Sequence, residues 1–247
     1  MSTGHKAPLV HSPVSFQAPY KYRAGTGMVP SAEWSVFFDD FFDAVTTNVP
    51  VGWDATVIDT GATVVTDTTV GAGHGTGALL FDSDGAAEGA AVYGEKSIQI
   101  TSGKRFWMEM RFKTEVADDT DVQFGLSSLT ATTNPEDLWT TAADSLIAFG
   151  VLDGDSTVTM LSDAANSGSV AILGDRDLVS ATWHTLAIYY DGVKLYGYLD
   201  GQLTVTWTGT AATIPTGVIL APFFGFRNGS TANNEGQIDY IRWVSER

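Results

Sequence analysis

The sequence predicts an all-β protein, a two-sheet antiparallel jelly-roll sandwich that follows an extended N-terminal arm. Short segments of alternating apolar and polar residues recur through the 247 residues, and turn residues separate them at regular intervals. This spacing is typical of sandwiches, because a half-buried strand repeats with a period of two and ends in a tight reversal. Long amphipathic segments with a helical period are lacking, which favours an all-β fold. We expect the sandwich at residues 34–247 and the arm at residues 1–33.

The arm is predicted from its prolines and from the aromatic residues between them. Four prolines recur in this segment, and proline excludes a continuous helix or a central strand. A solvated tail usually lacks aromatic residues, so we expect the arm to bind along a surface. That surface belongs to its own domain, to a sister subunit or to a partner; the alternative is a flexible tail. The residues predicted to make this contact are Phe16, Tyr20, Lys21, Tyr22 and Arg23.

The sandwich is predicted to open with a strand near residues 36–45, where four phenylalanines surround two aspartates. Asp59-Thr60-Gly61 then predicts a hairpin between strands at residues 56–58 and 63–65. The clearest alternation lies in residues 105–116. It puts Phe106, Met108, Met110 and Phe112 on one face of a strand and Trp107, Glu109, Arg111 and Lys113 on the other. Further strands are expected at residues 78–81, 90–93, 97–100, 122–126, 146–152, 158–161, 170–173, 218–227 and 237–244, with a long loop at 130–143.

Residues 183–201, WHTLAIYYDGVKLYGYLDG, contain two Asp-Gly pairs between alternating segments. Glycine adopts a positive φ without steric cost, and aspartate caps its own turn, so Asp-Gly is a strong hairpin signal. We therefore predict three consecutive strands joined by turns at Asp191-Gly192 and Asp200-Gly201.

This Trp-His, strand, Asp-Gly, strand, Asp-Gly arrangement resembles the laminin-G-like and concanavalin A-like lectin/glucanase sandwiches. Residues 236–244, GQIDYIRWV, resemble the final strand of that fold, and residues 37–45 resemble its opening strand. The resemblance covers residues 36–247 and implies the two-sheet jelly roll. It implies no single activity, because the fold includes lectins, hydrolases, lyases and structural modules. In the laminin-G-like pattern the pair Trp183-His184 is structural.

Composition and charge exclude several classes of partner. The net charge of −16 argues against nucleic acid, whose phosphates are bound by clustered lysine and arginine. No segment approaches the roughly 20 apolar residues needed to span a bilayer. The chain has no cysteine, so we expect no disulfide framework and no thiolate site. The N-terminus lacks the apolar segment of a secretory signal, so we expect assembly in the cytoplasm.

The sequence also predicts that the chain is not an enzyme and has no catalytic residues. Retaining glucanases of this fold carry Glu-x-Asp-x-x-Glu on one strand, which brings two carboxylates to one face at the separation needed by a nucleophile and an acid/base. That pattern is absent, and Glu109-Met110-Arg111 has a cation where a second acid would stand. The motifs of the lyases of this fold are absent as well. GAGHGTG at residues 71–77 lacks the Lys-Ser/Thr of a phosphate-binding loop.

Two binding functions are open at the sequence level. Trp107, Glu109 and Arg111 share one face, where the indole could stack on a sugar and the charges could bond its hydroxyls, with Trp139 adding an edge. The alternative is that Trp107 lies under the arm or a loop. Oxygen ligands in acidic turns suit Ca²⁺. The candidate turns hold Asp118, Asp119 and Asp121, then Asp153 and Asp155, then Asp175 and Asp177; acidic turns are more often simply solvated. We therefore predict no required cofactor and no metal ligands, with Ca²⁺ as an open alternative.

Together these features predict a bacteriophage virion protein, a capsid decoration or cement protein located on the capsid surface. Residues 1–32 carry a charge of +3 and no acid, whereas the remainder carries −19. A basic, aromatic arm on an acidic body would attach to the major capsid protein and to further copies of the chain, as a homo-oligomer with a trimer as the first expectation. The alternative is a carbohydrate-binding, lectin-like module for host-surface adhesion.

Overall fold

Alternation of apolar and polar side chains produces β-strands throughout the described part of the chain. The computed structural model describes residues 21–23, 27–29, 34–39, 53–57, 62–67, 78–83, 85–128, 145–164, 170–207, 213–229 and 234–246. The strands within these residues are β1 (Lys21–Arg23), β2 (Gly27–Val29), β3 (Trp34–Asp39), β4 (Trp53–Val57), β5 (Thr63–Asp67), β6 (Ala78–Ser83), β7 (Gly89–Gly94), β8 (Ile98–Gln99), β9 (Phe106–Thr114), β10 (Thr120–Ser127), β11 (Leu146–Val151), β12 (Thr157–Asp163), β13 (Val170–Asp177), β14 (His184–Tyr190), β15 (Leu195–Leu199), β16 (Gln202–Thr206), β17 (Ile219–Asn228) and β18 (Asn234–Glu246). A 3₁₀ turn, Ala117–Asp119, precedes β10. Among the described residues, no helix is long and apolar enough to cross a membrane.

Two large sheets contain most of these strands. Sheet I has the order β13-β12-β11-β10-β17-β7-β4, and β8 pairs with the first residues of β17. Sheet II has the order β16-β15-β14-β9-β18-β6-β5, and β3 pairs with the last residues of β18. All of these pairs are antiparallel. The predicted all-β, two-sheet antiparallel sandwich is therefore confirmed.

The core lies between the two sheets and follows the predicted alternation. Phe106, Met108, Met110 and Phe112 of β9 all point into it and are at most 2% exposed. The two sheets approach each other closely at Gly197 of sheet II, where a Cβ would lie 2.9 Å from the ring of Phe149 in sheet I. Burying each large apolar side chain stabilises the fold by about 1.5–3 kcal/mol, so this layer holds the sandwich together.

Both Asp-Gly pairs of residues 183–201 form the predicted turns. Asp191 accepts hydrogen bonds from the backbone N–H groups of Val193 and Lys194 at 2.8 and 2.7 Å. Gly192 has a φ of +103°, a conformation that favours glycine. At the second turn, the φ angles of Asp200 and Gly201 are both positive, as a type I′ reversal requires. The turns place β14, β15 and β16 side by side in sheet II.

The predicted hairpin at residues 59–61 is wrong. β4 pairs with β7 in sheet I, whereas β5 pairs with β6 in sheet II, so the connection between them passes from one sheet to the other. The Asp-Thr-Gly signal indicates that the chain reverses, and it does not specify which strand becomes the partner. Of the predicted opening strand at residues 36–45, the structure describes residues 36–39, which lie in β3, and the remaining residues lie outside the described part.

Residues 21–29, which belong to the predicted arm, contain a separate two-stranded hairpin of β1 and β2. The backbone of Lys21, Tyr22 and Arg23 forms its first strand, and their side chains lie outside the described part of the structure. Phe16 and Tyr20 lie outside the described residues altogether, so their predicted contacts stay a prediction.

Candidate functional site

Trp107, Glu109 and Arg111 lie on the outer face of sheet II, the side turned away from sheet I. Trp107 is only 2% exposed, so its ring offers no free surface to a ligand. It packs between Tyr189 and Tyr198, with ring centroids 6.0 and 5.6 Å away. Burial, followed by the neighbouring phenols and Asp191, raises the pKa of Tyr198 to about 12. These aromatic residues therefore form a small second core on the outer face.

The charged residues of this face are paired with one another. Arg242 donates a hydrogen bond to Glu109, and both side chains are 7% exposed. The Tyr240 hydroxyl donates to the same Glu109 oxygen at 2.6 Å. Burial raises the pKa of Tyr240, and the charge of Glu109 adds to the shift, so the phenol stays protonated and keeps donating. The Glu109 carboxylate is therefore already hydrogen-bonded to other residues of the protein.

Arg111 has the same kind of environment. It forms an ion pair with Asp239, and the ring of Trp183 lies 4.8 Å from its guanidinium carbon. Trp139, the remaining residue of the predicted sugar platform, lies outside the described residues. Sugar binding by these four residues stays a prediction, and the structure assigns internal partners to the three that it describes.

The outer face of sheet I is closed as well. Every residue of β10 and β11 is buried, on both faces of the sheet. An apolar cluster occupies much of this outer face: Ala91, Tyr93, Leu146, Ala148, Leu161 and Phe223. The buried amide of Gln123, on the central strand β10, makes no hydrogen bond with any described residue. In the described structure, neither outer face therefore presents its central residues to a ligand.

An open groove lies instead at one end of the sandwich, where β3 and the end of β18 face β8 across the gap between the sheets. We call it the end groove. Its volume is about 310 Å³, close to the lower limit of ordinary ligand sites. The described residues that line it are Ser35, Ser97, Ile98, Gln99, Thr101, Lys104, Trp243, Ser245 and Glu246.

Trp243 provides the aromatic wall of the end groove. It stacks on Phe37 with ring centroids 3.7 Å apart and an interplanar angle of 11°. Phe37 in turn makes an edge contact with Trp53 at 6.4 Å, and Trp53 donates a hydrogen bond to Asp39 at 2.8 Å. Trp243 is only partly buried, so an indole held in place by this packing lies at the groove.

Two charged groups line the end groove, and they have different environments. The backbone and side-chain N–H groups of Arg105 donate to one oxygen, Oε2, of Glu246 at 3.0 and 3.1 Å. These bonds, together with the nearby charges of Arg105 and Lys104, lower the pKa of Glu246, so the carboxylate is ionised at neutral pH and its Oε1 is available to accept. The Lys104 ammonium forms no ion pair within the described structure. Gln99 donates its amide to the Gly217 carbonyl at 2.7 Å, which leaves its carbonyl oxygen available.

The acidic turns have structural roles of their own. Asp121 accepts a hydrogen bond from the backbone of Asp153 at 2.8 Å, which joins two of the three predicted turns. Asp155 accepts a bond from the Thr157 backbone and Asp177 one from its hydroxyl, both at 2.8 Å. No group of three potential metal ligands occurs among the described residues. Calcium binding therefore stays open, without a ligand set.

Sequence reasoning missed the residues of the end groove. They come from three distant segments, near residues 35, 97–104 and 243–246, and only the pairing of β3 with β18 and the position of β8 bring them together. Trp243 follows the alternation of a core-facing residue, and nothing local indicates that the core is open at this end.

Comparison with known proteins shows the fold. No family model and no curated protein matches the sequence. Among solved structures, an apo Crh5 transglycosylase matches with a TM-score of 0.55 and 15% identity, over 86% of this chain and 84% of that chain. The Bacillus licheniformis β-glucanase gives 0.54 and 15%, over 84% and 97%. Peanut lectin gives 0.55 and 16%, over 87% and 98%. The fold is therefore the concanavalin A-like jelly roll that the sequence resemblance implied.

These matches correct one prediction. The expectation that the chain is not an enzyme is contradicted, because the similar structures include a transglycosylase and a β-glucanase. That expectation depended on the missing Glu-x-Asp-x-x-Glu pattern. The missing pattern excludes one arrangement of carboxylates and does not exclude other carbohydrate chemistry on the same fold.

Proposed function

We propose that the protein binds carbohydrate and that the end groove holds the saccharide. One observation carries this proposal: a partly exposed indole, Trp243, lies at a polar groove in which the Lys104 ammonium and one oxygen of Glu246 form no hydrogen bond with the described residues. The groove is large enough for a small ligand, and its lining combines one aromatic surface with hydroxyl, amide, carboxylate and ammonium groups.

This combination matches the chemistry of a sugar. A pyranose ring has an apolar C–H face that packs on an aromatic ring, and hydroxyls around its edge that both donate and accept. In the end groove, Trp243 offers the aromatic surface, Glu246 Oε1 accepts from hydroxyls, and Lys104 donates to them. Hydrogen bonds that involve an ionised group are the stronger ones, so Glu246 and Lys104 would fix the orientation of the ring.

Structures of the same fold support the proposal at the level of class. They include peanut lectin and the carbohydrate recognition domain of Emp47p. This chain is 12% identical to the Emp47p domain, so the comparison supports a shared fold only. The position proposed for the ligand depends on the geometry of the end groove.

The test is a glycan array followed by calorimetry on the glycans that bind. Trp243→Phe keeps an aromatic ring on Phe37 and reduces the surface offered to the sugar, and we expect it to weaken binding about two- to tenfold. Glu246→Gln removes a charged acceptor, and we expect a loss of about tenfold or more. Tyr198→Phe, on the outer face of sheet II, is the control and should bind as the unmodified protein does. Unchanged binding in both groove variants, or the absence of any glycan ligand, would refute the proposal.

The same glycans should be followed for cleavage and transfer. The similar structures include a transglycosylase and a β-glucanase, so turnover of a bound glycan is a natural second readout. Turnover that Glu246→Gln abolishes would assign a chemical role to the end groove in addition to binding.

A virion role is the second candidate. It is favoured by the contrast between residues 1–32, with a charge of +3, and the acidic remainder of the chain. In this hypothesis the arm attaches the jelly roll to the major capsid protein or to further copies of the chain. Light scattering of the full chain and of a version that starts at Ser35 tests it, because loss of an oligomer with the arm supports assembly. A monomer in both cases, with no binding to capsids, refutes it.

A further inference from the structure

We propose that the saccharide bound in the end groove carries an anionic group, a carboxylate or a sulfate, and that Lys104 pairs with it. This inference rests on the proposed function and names the ligand class of the same site. It follows from a comparison of Lys104 with the other cations of the protein and from the balance of donors and acceptors in the groove.

Lys104 differs from three arginines of the two sheets. It also differs from Arg176, Lys96 and Lys194, which form no ion pair with described residues but are exposed. Arg111, Arg227 and Arg242 each face a carboxylate, namely Asp239, Asp121 and Glu109. The neighbouring residue, Arg105, is bound to Glu246. Lys104 forms no ion pair or side-chain hydrogen bond with any described residue, although its side chain is half-buried at the groove. In a chain with a net charge of −16, an unpaired cation held at a groove is a distinctive feature.

Glu246 does not cancel this charge. Its carboxylate already receives two hydrogen bonds from Arg105, and the two groups together are neutral. Lys104, Arg105 and Glu246 together carry a net charge of +1, although Arg105 does not itself line the groove. The hydroxyls of Thr101 and Ser245, which make no side-chain hydrogen bond to the described residues, add two donors. An excess of positive charge beside a surplus of donors is complementary to an anion.

Trp243 specifies that the anion belongs to a ring. A free inorganic anion would gain nothing from the indole, whereas a uronate or a sulfated sugar packs its C–H face on Trp243 and directs its charge to Lys104. We place the anionic substituent at the Lys104 side and the neutral hydroxyls at the Glu246 side, because a second anion beside the Glu246 carboxylate would be repelled.

The experiment compares matched ligands on the intact chain. Tri-galacturonate, its methyl ester and a sulfated disaccharide are titrated by calorimetry in 0.15 M and 1 M salt, next to a neutral trisaccharide. The methyl ester keeps the ring and removes the charge. We expect the acid to bind about five- to tenfold more tightly than its ester at low salt, and the difference to shrink at high salt, where screening is stronger. The relative affinity of the sulfated sugar distinguishes the two sources of the anion.

Lys104→Met removes the ammonium and keeps the length of the side chain. We expect it to abolish the preference for the acid and to leave binding of the ester unchanged, and Lys104→Arg to restore the preference. Lys96→Met is the control, because Lys96 is exposed nearby and does not line the groove. If the acid and the ester bind equally and Trp243→Phe still weakens the binding of both, this inference is overturned and the proposed function stands. The absence of binding by every saccharide would overturn both.

Discussion

The ion pair between Glu109 and Arg242 gives the sharpest test of how the outer face of sheet II is stabilised. The two side chains lie opposite each other on β9 and β18, and each is only 7% exposed. Arg242→Met leaves the Glu109 carboxylate buried with the Tyr240 hydroxyl as its remaining donor. Glu109→Gln leaves a buried guanidinium instead. Removing one partner of a buried pair destabilises a protein by about 3–5 kcal/mol.

That loss is large compared with the whole stability of a domain, which is about 5–15 kcal/mol. We therefore expect each single variant to lower the free energy of unfolding by about 3–5 kcal/mol. The double variant Glu109→Leu with Arg242→Met removes both charges and should unfold with a free energy close to that of the unmodified protein. The difference between the double variant and the sum of the single ones measures the coupling of the pair.

Urea unfolding followed by circular dichroism measures these free energies, and equal m-values confirm that the same transition is compared. Arg105→Met is the matched control, because its ion pair with Glu246 is exposed, with side chains at 46% and 30%. Exposed pairs contribute about 0–1 kcal/mol, so this variant should change little. The two charges would not be a buried pair if each single variant at Glu109 and Arg242 lowered the free energy of unfolding by less than about 1 kcal/mol and the effect of the double variant equalled the sum of the two.

Three further predictions follow from buried groups. Burial opposes charging of His184, but its hydrogen bond to Asp200 at 2.7 Å and the charge of that residue outweigh this effect, so the pKa of His184 is raised above 6.5. The resulting stabilisation is present below pH 6.5 and is lost as pH rises through the folded-state pKa. An NMR titration of Asp200→Asn should find the pKa of His184 lowered. Gln123→Met should raise the free energy of unfolding by about 1–3 kcal/mol, because the buried amide makes no hydrogen bond with the residues that the structure describes; a decrease would contradict this. Gly236→Val should lower it by about 1–3 kcal/mol, because a Cβ at this position overlaps the ring of Phe226; unchanged thermal unfolding would refute that reasoning.

The sequence was a good guide to structure wherever the determining signal is local. The alternation in β9 predicts its two faces correctly, because the backbone pleat alone decides which side chains share a face. The Asp-Gly pairs predict the β14–β15 and β15–β16 turns, because the required φ angles belong to the turn residues themselves. The hairpin at residues 59–61 fails, since the choice of sheet depends on β6 and β7, which lie further along the chain.

The candidate site could not be predicted in the same way. Alternation places Trp107 and Glu109 on an outer face, but it does not indicate what lies against them there. Tyr189 and Tyr198 cover Trp107 from neighbouring strands, and a shift of register between Ile238 and Tyr240 brings Arg242 opposite Glu109. A register shift of this kind depends on how two whole strands pair, so no motif within either strand predicts it.

The distribution of charge explains why the end groove is the better candidate. A net charge of −16 describes the whole chain and conceals local differences. On sheet II, Glu109 pairs with Arg242 and Arg111 pairs with Asp239. Glu109 and Arg111, which the sequence suggested as ligand-binding residues, therefore already bind other residues of the protein. At the end groove, Arg105 donates to one oxygen of Glu246 and leaves the other free to accept, and Lys104 forms no ion pair with a described residue. A ligand is recognised by groups that the fold leaves unsatisfied, and in the described structure those groups come together beside Trp243.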